Sequence, residues 1–157
     1  MVVEVAECAM HLTMAVSGFY LALIDQREHR LPNSWTYPTA VVLGSLALFQ
    51  NDPDRLSGAL WAALLSAGLF WGLAVLPGKP LGLGDVKLQV VLGFYLGWWF
   101  PPLVVVQVCG AFILGGIAAL WLVMIRRRPR VEPLAFGPAM IIATWLVIAL
   151  GKSLEII

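Results

Sequence analysis

Six apolar runs, at roughly residues 5–24, 35–50, 56–77, 86–100, 102–125 and 134–150, leave only short polar stretches between them in a chain of 157 residues. The connecting segments DQREHRLPN, NDPDR, GKPLGLG, the pair Pro101 and Pro102, and RRRPRVEP concentrate charge, Pro and Gly, the residues that end regular structure. With 61% of residues hydrophobic and 12% charged, against about 25% charged in ordinary globular proteins, the chain cannot clothe a water-facing surface. It is therefore expected to be an all-α polytopic membrane protein of six transmembrane helices, forming one membrane-embedded domain over residues 1–157. Several runs are shorter than the ~20 residues a bilayer core requires, so flanking polar residues must complete those helices or the bilayer must thin around them.

Other classes are set aside by charge and cysteine usage. A net charge of +1 without a basic stripe interleaved with aromatics argues against a nucleic-acid partner. Cys8 and Cys109 are the only cysteines and lie far apart without a CxxC, which indicates neither zinc nor a disulfide framework. Two buried, inert thiols are expected. Glu4 and Glu7, with no Lys or Arg before the first run, give the wrong charge for a cleavable signal peptide, so the run is expected to stay as a spanning helix.

Lys and Arg set the orientation. Grouping the loops after the first, third and fifth runs gathers Arg27, Arg30, Lys79, Lys87, Arg126, Arg127, Arg128 and Arg130, and leaves Arg55 and Lys152 opposite. The positive-inside rule makes the first side cytoplasmic and puts both termini outside. Asp25 and Asp85, which played no part in that grouping, both fall in the cytoplasmic layer. Gly68 with Gly72, and Gly93 with Gly97, stand at helical spacing and predict close packing of the third helix on the fourth, with dimerisation as the other use. Trp35, Trp98 and Trp99 are expected as interfacial anchors. His11 lies fourteen residues before Asp25, about 21 Å along a helix, and is not expected in the same site.

The chemistry concentrates in Asp25 and in the segment LGLGDVKL, residues 81–88. Asp85 could simply cap the fourth helix, since a carboxylate there accepts bonds from unpaired N–H groups. Asp25, at the end of the first helix, has no such explanation. Two carboxylates brought together can share a proton, one ionised to deprotonate water and the other protonated to donate to a carbonyl oxygen. Gly82 and Gly84 would allow either a left-handed backbone or the close approach of a substrate strand. Helix ends favour Asp85 as the ionised base, because it starts a helix, and Asp25 as its protonated partner, because it ends one. Lys87 is either a snorkelling interfacial residue or a neighbour of the pair. Glu28 and Glu132 are expected as solvated loop charges that could also meet basic groups of a substrate, and the run from Arg126 to Arg130 as a topology determinant near anionic headgroups.

Asp25, six residues, Pro32 and Asn33, followed later by Gly82, Gly84, Asp85, Lys87 and Leu88, resembles the pattern of the type IV prepilin peptidases. Phe136, Gly137 and Pro138 resemble that family's FGP element, with Ala135 where many members have Pro. The resemblance implies that Asp25 and Asp85 are the catalytic pair of an aspartic endopeptidase in the cell membrane. It implies Gly82, Gly84, Lys87, Pro32, Asn33, Phe136, Gly137 and Pro138 as site-supporting or substrate-binding residues. It further implies a pilin-like precursor as substrate, membrane lipid as surroundings, and no metal or cofactor. Longer members carry a cytoplasmic insert with paired cysteines after the first helix and also N-methylate their product. The segment from Asp25 to Ser34 has no room for such an insert, so the chain is similar to the peptidase-only members. Paired intramembrane carboxylates would also suit a proton- or cation-coupled transporter, although no inverted repeat is visible. A noncatalytic component of a secretion machine is the remaining alternative.

Overall fold

A computed structural model describes residues 2–77, 81–124 and 135–155. Six helices lie among these residues: α1 (Val2–Glu28), α2 (Asn33–Gln50), α3 (Pro53–Val75), α4 (Leu83–Trp99), α5 (Leu103–Met124) and α6 (Gly137–Ser153). Their number and type match the six apolar runs. Length and apolarity suffice for crossing a membrane in α1, α3 and α5, while α6 is apolar but has only 17 residues. The six-span expectation therefore holds by these criteria for three helices. The protein is an all-helical, multi-pass membrane protein.

Local chemistry explains the boundaries. Helix α1 stops where His29 turns to a left-handed φ of 51°, its N–H still bonded to the Asp25 carbonyl at 2.9 Å. Asn51 does the same after α2, with φ of 53°, as suits a short polar side chain in that region. Asp52 then caps α3 by accepting from the Arg55 N–H at 3.0 Å, and Pro53 occupies the first turn, where its missing N–H costs nothing. Pro38 lies inside α2 and removes a donor there. The hydroxyls of Thr36 and Thr39 give the carbonyls of Pro32 and Trp35 a second kind of partner, at 3.1 and 2.7 Å.

Helix α4 is the axis of the bundle, in contact with α2, α3, α5 and α6, while α1 packs on α2 and α6. Residues on several faces of α4 are buried, from Asp85 and Leu88 through Gln89, Leu92, Gly93 and Tyr95 to Trp98. Its walls are other helices, so it can carry Asp85, Lys87 and Gln89 in an otherwise apolar protein. The α3–α4 contact is the tightest. A Cβ on Gly93 would lie 2.6 Å from Ser66 Oγ and 2.9 Å from Ala63 Cα, and one on Gly97 would lie 2.5 Å from Ala62 Cβ and 2.9 Å from Ala59 Cα. The expected approach of these two helices is thus present, but α3 contributes Ala59, Ala62, Ala63 and Ser66. Gly68 and Gly72 face open space, with nothing within 4 Å of a Cβ at either.

A polar thread crosses the core between α4, α5 and α6. The Gln89 amide donates to Gln107 Oε1 at 3.1 Å, and the Gln107 amide donates to the Met140 carbonyl at 3.4 Å. At the end of the bundle away from Asp25, His11 bonds to the Tyr95 hydroxyl and stacks on Trp99, with ring centroids 4.6 Å apart. Glu7 pairs with Arg55 at 2.9 Å at the same end. Trp98 is 1% exposed and so anchors nothing at an interface, because the end of α4 is enclosed by its neighbours. The two thiols also depart from expectation: Cys8 and Cys109 are both exposed on outward helix faces.

Replacing Gly97 with Val should destabilise the protein by about 1–3 kcal/mol, the usual cost of forcing atoms into a packed contact. Gly68→Ala, which meets open space, should leave stability unchanged or slightly higher. Thermal unfolding of both variants in detergent checks the contrast, and equal midpoints would contradict the α3–α4 seam.

Candidate active site

The carboxylates of Asp25 and Asp85 line one open cavity of about 1130 Å3, shared with Glu28, His29, Arg30, Leu31, Pro32, Asn33, Lys87 and Phe136. Both residues are buried, at 5% and 9% exposure. The helices alternate in direction, so the cavity gathers the last turn of α1, the end of α3 and the first turns of α2 and α4, with the residue that precedes α6. Sixty positions of sequence separate the two acids, and the bundle returns them to one end.

Each carboxylate is held by a helix N-terminus. Asp85 is the third residue of α4, and its Oδ2 accepts from the Gly82 N–H at 3.1 Å. The capping explanation for Asp85 is met in that form: Gly82 is the N-cap and the acid reaches back to it. Asp25 Oδ2 accepts from the Gly137 N–H at 2.9 Å, at the first residue of α6. This second contact was not legible in the sequence. It brings the positive end of α6 to a residue that α1 alone would have left at a negative end. Helix ends therefore do not rank Asp25 below Asp85 as a carboxylate, and the division of labour expected from them is withdrawn. In each acid one oxygen is fixed by a backbone donor. Among the described residues the other oxygen has no hydrogen bond and is available to a ligand.

The FGP stretch has a separate physical reason at each position. Gly137 must lack a side chain, since a Cβ there would lie 2.7 Å from Asp25 Oδ2 and 3.2 Å from its Cγ. Pro138 follows in the first turn, where no N–H is needed. Phe136 lines the cavity, whereas Gly137 and Pro138 stand behind it. The other glycines need space rather than handedness. Gly82 has φ of −81°, and Gly84 is also outside the left-handed region, with a Cβ there falling 3.4 Å from Leu31 Cβ. Of the two uses expected for them, close approach is the one that remains.

Lys87 does not simply snorkel. Its Nζ donates to Asn33 Oδ1 at 2.9 Å and stands 5.7 Å from the centre of the Tyr37 ring, tying the start of α4 to the start of α2. Pro32 is the N-cap of α2, with ψ of 130°, and so turns the chain from α1 into α2 beside Asn33. His11 lies in the aromatic cluster at the opposite end, as expected from its distance along α1. Lys79, Arg126, Arg127, Arg128, Arg130 and Glu132 lie outside the described residues.

The profile of the Type IV leader peptidase family matches residues 12–150. The chain belongs to this family. It is 30% identical over 138 residues to a prepilin leader peptidase/N-methyltransferase of Aeromonas hydrophila, a match covering 85% of this chain and 47% of that protein. It is 36% identical over 138 residues to the leader peptidase HopD of Escherichia coli, covering 81% of this chain and 83% of that protein. The HopD of Salmonella typhimurium is 34% identical over 139 residues, with 82% and 81% covered. The chain thus spans about half the length of the leader peptidase/N-methyltransferase relatives it matches, and most of the length of these two proteins named leader peptidase alone. No solved structure matches it. Residues of the Asp25 to Asn33 segment and of the Gly82 to Lys87 segment line one cavity.

The clip between Lys87 and Asn33 makes a prediction about the cavity wall. With Cys8 and Cys109 changed to Ser, the double variant Asn33→Cys/Lys87→Cys should be joined by a short bifunctional thiol reagent in membranes. The pair Asn33→Cys/Lys152→Cys, at opposite ends of the bundle, should not. Cross-linking of the second pair and not the first would contradict the geometry of this wall.

Proposed function

We propose that this protein is a membrane aspartic endopeptidase that removes the leader of type IV prepilins or pilin-like precursors at the cytoplasmic face. The observation that carries the reading is the burial of Asp25 and Asp85 on one cavity, each steadied by a helix N-terminal N–H, in a member of the leader peptidase family. The relatives named leader peptidase support the substrate class. Asp25 and Asp85 act as the catalytic pair. Gly82 and Gly84 keep the wall beside Asp85 open to a substrate strand, Lys87 and Asn33 shape the side formed by α2, and Pro32, Phe136, Gly137 and Pro138 support the frame.

The chemistry uses water and the two carboxyl groups, with no metal or cofactor. The ionised carboxylate takes a proton from water as its oxygen attacks the scissile carbonyl carbon, and the protonated partner gives its proton to the carbonyl oxygen. The resulting diol collapses as the C–N bond breaks. The leaving amine takes the proton that came from water, and one diol hydroxyl returns a proton to the partner carboxylate. Each acid ends as it began. The two protons titrate as a pair, so a pH–rate profile reports the dyad rather than either residue.

The chain acts as one membrane-embedded peptidase unit with six spans, its shorter helices completed by flanking residues. Both termini lie outside, and the cavity faces the cytoplasm. Arg27, Arg30 and Lys87 at the cavity end, against Arg55 and Lys152 at the other, support this orientation. The short segment between Asp25 and Ser34 supports a peptidase without N-methyltransferase activity.

Asp25→Asn and Asp85→Asn should each abolish cleavage of a coexpressed prepilin while the protein still accumulates in the membrane. Wild-type protein given S-adenosylmethionine should release a mature pilin with a free, unmethylated amino terminus by mass spectrometry. Wild-type cleavage by either variant would remove that residue from the dyad. A product heavier by one methyl group would overturn the peptidase-only reading. Proton flux into liposomes without cleavage would favour a transporter instead.

Orientation is tested separately in a background with Ser at both native cysteine positions. In intact bacteria a membrane-impermeant thiol reagent should label Asp52→Cys and spare His29→Cys. The reverse pattern would invert the topology.

A further inference from the structure

We propose that Gly115 is a positioning residue for Asp25, acting through the Phe136 ring seated against it to fix the Gly137 N–H that holds the carboxylate. The inference rests on the peptidase reading of the site. Nothing in the spacing of the motifs points to Gly115, which lies in the middle of α5 and outside the cavity lining.

A Cβ on Gly115 would fall 2.5 Å from Phe136 Cε2 and 2.9 Å from Cδ2, so the ring occupies the space that any side chain would need. The ring is flanked by aromatic neighbours on two sides and faces the cavity on another. It packs against Phe112 of α5 at 5.3 Å between centroids and against Phe70 of α3 at 6.3 Å, and those two rings contact each other at 5.7 Å. Phe70 is fully buried. One residue later, Gly137 meets Asp25 with no slack, because its N–H bonds at 2.9 Å and a Cβ would already clash at 2.7 Å. The Phe136 carbonyl also accepts the Met140 N–H at 3.2 Å, so the backbone that carries the ring belongs to the first turn of α6. A displacement of Phe136 by about 1 Å carries the Gly137 donor out of hydrogen-bonding range of Oδ2. Gly116, the next residue on α5, has nothing within 4 Å of a Cβ position and serves as the control.

The test compares Gly115→Ala, Gly116→Ala and Gly115→Ala/Phe136→Leu, in which a smaller side chain makes room for the added methyl. With a prepilin as substrate, Gly115→Ala should lose about tenfold or more in kcat with KM within about twofold, as for a misplaced reacting group. Gly116→Ala should match wild type, and the double variant should recover most of the loss. A kcat for Gly115→Ala at the wild-type level, or a loss that the double variant does not repair, overturns the proposal. If Gly115→Ala fails to accumulate, Phe136→Leu alone carries the test, since it empties the notch without a clash and should lower kcat with unchanged KM. Wild-type kcat in that variant overturns the proposal as well.

Infrared spectra read the latch without reference to cleavage. The carboxyl band assigned to Asp25, by its absence in Asp25→Asn, should shift in Gly115→Ala, stay in place in Gly116→Ala and return in the double variant. A band that shifts in Gly115→Ala while the wild-type protein cleaves no prepilin would keep the latch and reject the peptidase reading. An unshifted band in a protein that does cleave would do the opposite.

Discussion

A carboxylate placed among apolar helices needs a donor, and the N–H groups at helix N-termini are the donors on which this site depends. An acid at mid-membrane costs on the order of 3 kcal/mol on insertion scales, and less toward the interface. One hydrogen bond to a charged group contributes about 1.5 to 3 kcal/mol. A single backbone donor per acid is therefore of the size needed to offset the cost. Asp85 finds its donor locally, at Gly82 of its own helix, whereas Asp25 depends on Gly137, 112 positions away. The start of α6 must consequently be placed with more care than any other helix end. Gly137, Pro138 and the Phe136 ring against Gly115 are the parts that place it.

The rest of the bundle serves the return of these helix starts to one end. Helix α4 can hold Asp85, Gln89 and Lys87 because α2, α3, α5 and α6 surround it, and it can be surrounded only if one neighbour comes very near. Gly93 and Gly97 permit that approach by α3, where backbone and small side chains meet at distances no Cβ would tolerate. Without an appreciable hydrophobic drive between helices in lipid, such contact and a few buried polar bonds are what remain to hold them. The Gln89 to Gln107 to Met140 thread is of that second kind, and its direction is set from one end. The Met140 carbonyl can only accept, so Gln107 must present its amide there and its oxygen to Gln89.

Much of this was legible in the chain and some of it was not, for one physical reason. Helix number, the turn signals at Asn51 to Pro53, and the common layer of Asp25 and Asp85 follow from apolar runs, punctuating residues and the placement of Lys and Arg, while Asn33 and Phe136 were implied by the family resemblance. Facing does not follow from such signals. In a soluble helix the polar side marks the outside, but here lipid-facing and protein-facing sides are both apolar, and the pattern loses its directional content. Gly68 and Gly72 therefore looked as suited to packing as Gly93 and Gly97, Trp98 looked like an interfacial anchor, and Cys8 and Cys109 looked buried. Gly115 carried no signal at all, because its partner Phe136 lies twenty-one residues away in the chain. The helix-end premise for ranking the acids fell away for a related reason: the end of α1 can be read from sequence, but the arrival of α6 beside it cannot.

The two ends of the bundle are built for different tasks. Away from the acids, His11, Tyr95, Trp99 and the pair of Glu7 with Arg55 join α1, α3 and α4 through contacts between large or charged side chains. Around the acids the helices are joined by small contacts: the Gly137 donor on Asp25, the clip of Lys87 to Asn33, and one ring in a notch. The space that bulky side chains would fill is instead a cavity of about 1130 Å3. A site proposed to admit a peptide strand cannot also be packed shut, so its precision must come from groups that occupy little volume. Backbone N–H groups at helix starts meet that requirement, since they orient a carboxylate without taking up room in front of it, and the glycines beside them keep it so.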